Sequence, residues 1–109
     1  MRPIVPALAA LLLLAGPALA DDLTHAELTI KNHRFTPAEL HVPAGKPVLL
    51  TIHNQDATAE EFDSSALKTE KVLAGNTTGT VRLRPLAPGR FPFMGEYHAA
   101  TAQGAVVAQ

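Results

Sequence analysis

Apolar and polar residues alternate along most of the chain beyond residue 25. Ala26, Leu28 and Ile30 share one parity, as do Leu40 and Val42. Val48, Leu50 and Ile52 share another run, with Leu49, Thr51 and His53 on the opposite side. Val81 and Leu83 alternate with Arg82 and Arg84, and Phe91 and Phe93 flank Pro92. A period of two is the signature of strands with one buried face. Between the runs stand Pro43-Ala44-Gly45-Lys46-Pro47, Ala74-Gly75-Asn76 and Pro85-Leu86-Ala87-Pro88-Gly89, which are turn chemistry. Residues 55–59 form a loop, Glu60-Glu61-Phe62 opens a strand leaving it, and the polar stretch 64–70 has room for a helical turn. About seven or eight short strands at this spacing predict an all-β, Greek-key sandwich of two sheets. Its expected core contains Phe35, Leu50, Ile52, Phe62, Val81, Leu83, Phe91, Phe93 and Val106. Pro92 cannot donate a ladder hydrogen bond, so its strand pairs incompletely there.

The first residues read differently. Arg2, an apolar run over 4–15 and Ala18-Leu19-Ala20 form an export leader with a small-x-small cleavage site. The expectation is a signal peptide over 1–20, one domain over 21–109, and a periplasmic location for the cleaved protein. The apolar run is too short for a stable transmembrane helix. Cysteine is absent, so no disulfide staples the small domain. The chain's net charge of −1 offers no basic stripe for nucleic acid and no polybasic surface for lipid. Ser64-Ser65 lack a nucleophile-elbow setting, and no glycine-rich phosphate loop is present, which argues against hydrolytic catalysis.

Three stretches together resemble the cupredoxin fold. Phe35-Thr36-Pro37 with Leu40-His41-Val42-Pro43-Ala44-Gly45 resembles the family's opening motif. Asn54-Gln55-Asp56 followed by Glu60-Glu61-Phe62 resembles the segment that carries the first His ligand, with Glu60 in its place. Phe93 to Gly104 resembles the last-loop segment, with Gly95 at the Cys position, His98 at the second His and Thr101 or Gln103 at the Met. Met94 neighbours Gly95, so strand alternation turns it away from that site. Without a thiolate, the trigonal His₂Cys chemistry of blue-copper electron carriers is excluded. The replacement pattern is similar to Cys-less, cupredoxin-like periplasmic proteins associated with bacterial iron-permease systems, and more distantly to EfeO-type iron-uptake proteins. That resemblance implies a copper or iron ion as the bound species. It also implies a membrane iron permease or another periplasmic uptake component as partner, and a role in which ferrous iron is oxidised for uptake.

The candidate ligands are Glu60, Glu61, Glu96 and His98. Glu96 and His98 are two apart, so in an extended segment they point the same way. Glu60 arrives from the distant loop, and Glu61 replaces it if the strand is offset by one. Carboxylates with one imidazole suit Fe²⁺, Fe³⁺, Mn²⁺, Cu²⁺ or Zn²⁺ and disfavour Cu⁺. His33 and His41 sit beside turns and are expected to face solvent, and His53 is expected to pack or cap on its strand. The competing expectation is a metal-free sandwich that serves a transport system as an interaction module.

Overall fold

The computed structural model describes residues 23–109, so the expected leader lies outside the described residues. Among the described residues, nine strands make two sheets. They are β1 (Thr24–Lys31), β2 (Arg34–Thr36), β3 (Glu39–Val42), β4 (Val48–Asn54), β5 (Glu60–Ser64), β6 (Thr69–Leu73), β7 (Thr77–Leu83), β8 (Gly89–Gly95) and β9 (Gln103–Ala108). One sheet runs β2-β1-β4-β7 and the other β3-β9-β8-β5-β6. Parallel pairing of β1 with β4 and of β3 with β9 interrupts the otherwise antiparallel ladders and produces the Greek-key crossovers. The only regular helix among the described residues is a single 3₁₀ turn, Glu96–His98, between β8 and β9.

The alternation read from sequence is the alternation of the inner faces. Leu28, Ile30, Val48, Leu50, Ile52, Phe62, Val81, Leu83, Phe93 and Val106 are all buried between the sheets. Phe91 is only partly buried and packs against the edge of this cluster. The stretch after β5 contributes more than expected. Leu67 is buried, and the Ser64 hydroxyl accepts the Leu67 N–H at 2.9 Å while donating to the Pro92 carbonyl at 2.6 Å. Pro92 acts as anticipated: β5 and β8 pair through Phe62↔Gly95 and Asp63↔Met94, and the ladder stops short of the proline.

Three aromatic rings form the floor of one end of the sandwich. Phe35 meets Phe93 edge-on at 4.9 Å and Phe62 at 6.1 Å, while Phe62 and Phe93 lie 5.0 Å apart. These separations are the favoured aromatic geometry. Strand parity then dictates what lies above that floor. Glu60 is two residues before Phe62 and Gly95 two after Phe93, so both face inward at the same end.

Candidate functional site

Glu60 is 1% exposed, an unusual place for a carboxylate, and every bond it makes lies at this end of the sandwich. Oε1 accepts the Glu61 N–H at 3.0 Å and the Tyr97 N–H at 2.9 Å. Oε2 lies 2.7 Å from Nδ1 of His98. Burial of a carboxyl group is tolerable only when its oxygens are so satisfied. The 3₁₀ turn supplies two of the partners, because its tight winding directs the Tyr97 amide and the His98 ring back over β5.

His98 is covered on one face by His33. Their ring centroids are 3.6 Å apart and the planes differ by 11°. Three loops fix His33 in that position. It follows Asn32 at the β1–β2 turn, and both residues have positive φ (54° and 56°). The Asp56 carboxylate accepts the backbone N–H groups of Asn32 at 2.7 Å and His33 at 2.9 Å, which stabilises that turn. Thr101 Oγ1 donates to the His33 carbonyl at 2.7 Å. The His33 N–H, with that of Asn32 and the nearby His33 and His98 rings, holds the Asp56 carboxyl below its ordinary value against the opposing effect of desolvation. Asn54 completes the support by donating to the Thr58, Leu73 and Ala74 carbonyls and accepting the Asp56 N–H. The sequence reading placed His33 at a solvent-facing turn. It is half-buried instead, because contacts from Asp56 and Thr101, remote in sequence, fold the turn over the site.

The four residues named as candidate ligands fall into two groups. Glu60 and His98 meet directly. Glu61 and Glu96 lie on the outer face of the sheet beside Asp63, where the hydrogen bond that the protonated Glu96 carboxyl donates to Asp63 and the charge of Glu61 push the Glu96 carboxyl above its ordinary value. The expectation that Glu96 and His98 share a face assumed an extended chain. A 3₁₀ helix turns about 120° per residue, so positions two apart diverge. Among the described residues, no group of three or more His, Cys, Asp or Glu side chains is placed to hold a metal ion. His41 is exposed next to Glu39, and His53 bridges Glu27 and Thr78 on the opposite sheet.

Residues 4–108 match the model of the cupredoxin-like domain. The chain belongs to that family. It is also 38% identical over 87 residues to an uncharacterized protein of Rickettsia prowazekii (strain Madrid E), covering 80% of this chain and 70% of that protein. Among solved structures it is similar to auracyanin A, a blue copper protein of Chloroflexus aurantiacus. The TM-score is 0.66 at 18% identity, with 80% of this chain and 99% of that one covered. It is similar also to the metal-binding domain of the Cu(I)-exporting P-type ATPase CopA of Streptococcus pneumoniae D39, with a TM-score of 0.69 at 16% identity, covering 84% and 91%. These likenesses establish the fold.

This cupredoxin-like domain does not fit a thiolate-bound copper. Gly95 stands where the resemblance puts the cysteine. A Cβ on it would lie 2.6 Å from Glu60 Cδ, 2.7 Å from Glu60 Oε2 and 2.8 Å from Ala102 Cβ. The Glu60 carboxylate therefore fills the space a side chain at 95 would need. Oε2 and Nδ1 are engaged with each other across 2.7 Å, so that hydrogen bond has to break before either atom takes a metal. The donor left toward the rim is Nε2 of His98, whose side chain is 25% exposed.

Proposed function

We propose that this cupredoxin-like domain is exported to the periplasm and binds copper or iron there as cargo, as an accessory to a metal-uptake system. The observation that carries the reading is the 2.7 Å contact between Glu60 Oε2 and His98 Nδ1 in the loop where the family keeps its ligands. A carboxylate that accepts one ring nitrogen of a histidine fixes its tautomer and raises the basicity of the other nitrogen. Metal-binding histidines are commonly oriented in this way. In this role Glu60 orients the imidazole, and Nε2 of His98 meets the ion. A site with few protein ligands retains water and exchanges its ion readily, which suits hand-over to a membrane iron permease better than permanent residence. The copper-protein relatives of this fold support copper as one cargo, and the resemblance to iron-permease accessories supports iron as the other.

A second reading is favoured by Gly95. With the thiolate volume filled by a carboxylate, the sandwich is complete without an ion, and the domain serves as a metal-free interaction module. Metal analysis of protein purified from the periplasm, with calorimetric titration of Cu²⁺ and Fe²⁺ into wild type and His98→Ala, separates the two. Binding that is lost in His98→Ala supports the cargo reading. No binding by the wild type leaves the interaction module.

A further inference from the structure

We infer that the outer face of the five-stranded sheet docks a partner protein whose contact segment alternates lysine or arginine with apolar side chains. The inference is independent of any bound ion. Strand register sets six side chains on that face in two rows. Asp63 on β5 lies between Met94 on β8 and Glu70 on β6, and Glu61 is paired with Val72 on β6. Glu96 closes the second row, within hydrogen-bonding reach of Asp63 and Glu61. None of these carboxyls is in an ion pair. The described ion pairs join Glu39 to Arg90 and His41, Glu27 to His53, and Glu60 to His98. Large exposed apolar side chains gather in the same place. Met94 (39% exposed) and Val72 (54%) stand on the face, and Tyr97, the third of them among the described residues, follows Glu96. A merely solvated face accounts for the charges but leaves Met94 and Val72 without cover, and exposed apolar groups rimmed by polar ones mark interaction surfaces.

A concavity adjoins the rows. Pro92 ends the β5–β8 ladder, and beyond it the Ser64 hydroxyl bridges the two strands. There a groove of about 570 Å³ opens, with Asp63, Ser65, Arg90, Pro92, Met94 and Gln103 in its lining. Its one cation, Arg90, is already held by Glu39 at 2.6 Å, so the charge left at the groove is that of Asp63. A long cationic side chain fits this arrangement, its apolar stem on Pro92 and Met94 and its head at Asp63. Apolar side chains of the same segment cover Met94 and Val72. Opposite charge steers such a partner to the face, and the same sign excludes nucleic acid and an anionic membrane.

The test is an amide NMR titration of the full chain in excess EDTA, so that no ion takes part. The probe is the end-capped peptide Lys-Leu-Arg-Leu-Lys, with Glu-Leu-Glu-Leu-Glu and Lys-Gly-Arg-Gly-Lys as controls. The basic apolar peptide is expected to shift the amides of Glu61, Asp63, Val72 and Met94, and to bind more weakly as salt is raised. The acidic peptide is expected to shift none of them, and the glycine version to bind more weakly. The double variant Glu61→Gln/Asp63→Asn should lower affinity by more than about threefold, the scale of losing exposed ion pairs. Met94→Lys, which sets a cation on the face itself, should lower it as well. The dispersion of each variant's spectrum verifies that it is folded. Shifts confined to another face, equal binding of either control peptide, affinity unchanged in both variants, or no shift at millimolar peptide overturns the docking face. None of these results touches the cargo reading, because the metal is absent throughout.

Discussion

Gly95 and Glu60 share one volume: a methyl group on the glycine would come within 2.6 Å of the glutamate's Cδ. Neither side of the contact yields easily, since Glu60 is fixed by three hydrogen bonds and Ala102 closes the far side. Gly95→Ala should therefore destabilise the fold by about 1–3 kcal/mol, the usual cost of overpacking. Denaturant unfolding measures it. In a Glu60→Ala background the same substitution should cost much less, and equal costs in both backgrounds would show that the two residues do not compete for space.

His98→Ala tests the other partner of Glu60. A histidine on a loop ordinarily carries few core contacts, so its removal is expected to change the apo fold little. The structure changes that expectation, because the substitution strips a buried carboxylate of its side-chain partner. A loss of about 1.5–3 kcal/mol is expected, the range for a hydrogen bond to a charged group. His98→Asn, which can still donate, should recover part of it in the same unfolding experiment.

The sandwich was legible because period-two alternation and turn residues dictate it almost without competition. Phe62, Phe93, Leu50 and Ile52 occupy the core that their parity requires. Glu60 was legible as a site residue from its place before Phe62. Its role was not, because its partner depends on a 3₁₀ turn that sequence parity treats as extended. His33 was missed for the same kind of reason. Nothing adjacent to it in sequence signals that Asp56 and Thr101 will fold its turn inward. The available clue was Asp56, within the motif Asn54-Gln55-Asp56, since an Asp at a loop position commonly caps backbone N–H groups.

Stability should respond to pH through Glu96. Its carboxyl holds a proton to higher pH in the folded chain than the ordinary value of 4.5, because the protonated group donates to Asp63 and Glu61 repels its charge. A group raised in this way binds more protons folded than unfolded. Its contribution is full below 4.5 and is lost as pH rises through the folded value. Glu96→Gln should remove that loss and make the chain more stable than wild type above this window. Thermal unfolding across pH 4 to 8 (about the range where raised carboxyls titrate) checks the sign. A variant less stable than wild type at neutral pH would contradict the repulsion.

Copper-loaded protein should lack the intense absorption that a copper–thiolate bond produces, because the chain contains no cysteine. Its paramagnetic spectrum should be tetragonal, as for nitrogen and oxygen donors. A strongly blue preparation would contradict this donor set.

The short ladder between β5 and β8 has a dynamic consequence. The β5–β6 hairpin joins the rest of its sheet through Phe62↔Gly95 and Asp63↔Met94, with the Ser64 hydroxyl bridging to Pro92 beyond them. Its remaining attachments are side-chain ones, the buried Phe62, Leu67 and Leu73 and the Asn54 amide that donates to the Leu73 and Ala74 carbonyls, so packing more than backbone pairing holds it in place. Amide hydrogens of β5 that face β8 should exchange with solvent sooner than those joining β4 to β7. Because Glu60 belongs to the hairpin, each such opening also separates it from Tyr97 and His98. Exchange at the Tyr97 amide, which donates to Glu60, should therefore follow exchange in β5, so that one measurement reports on both the hairpin and the buried carboxylate.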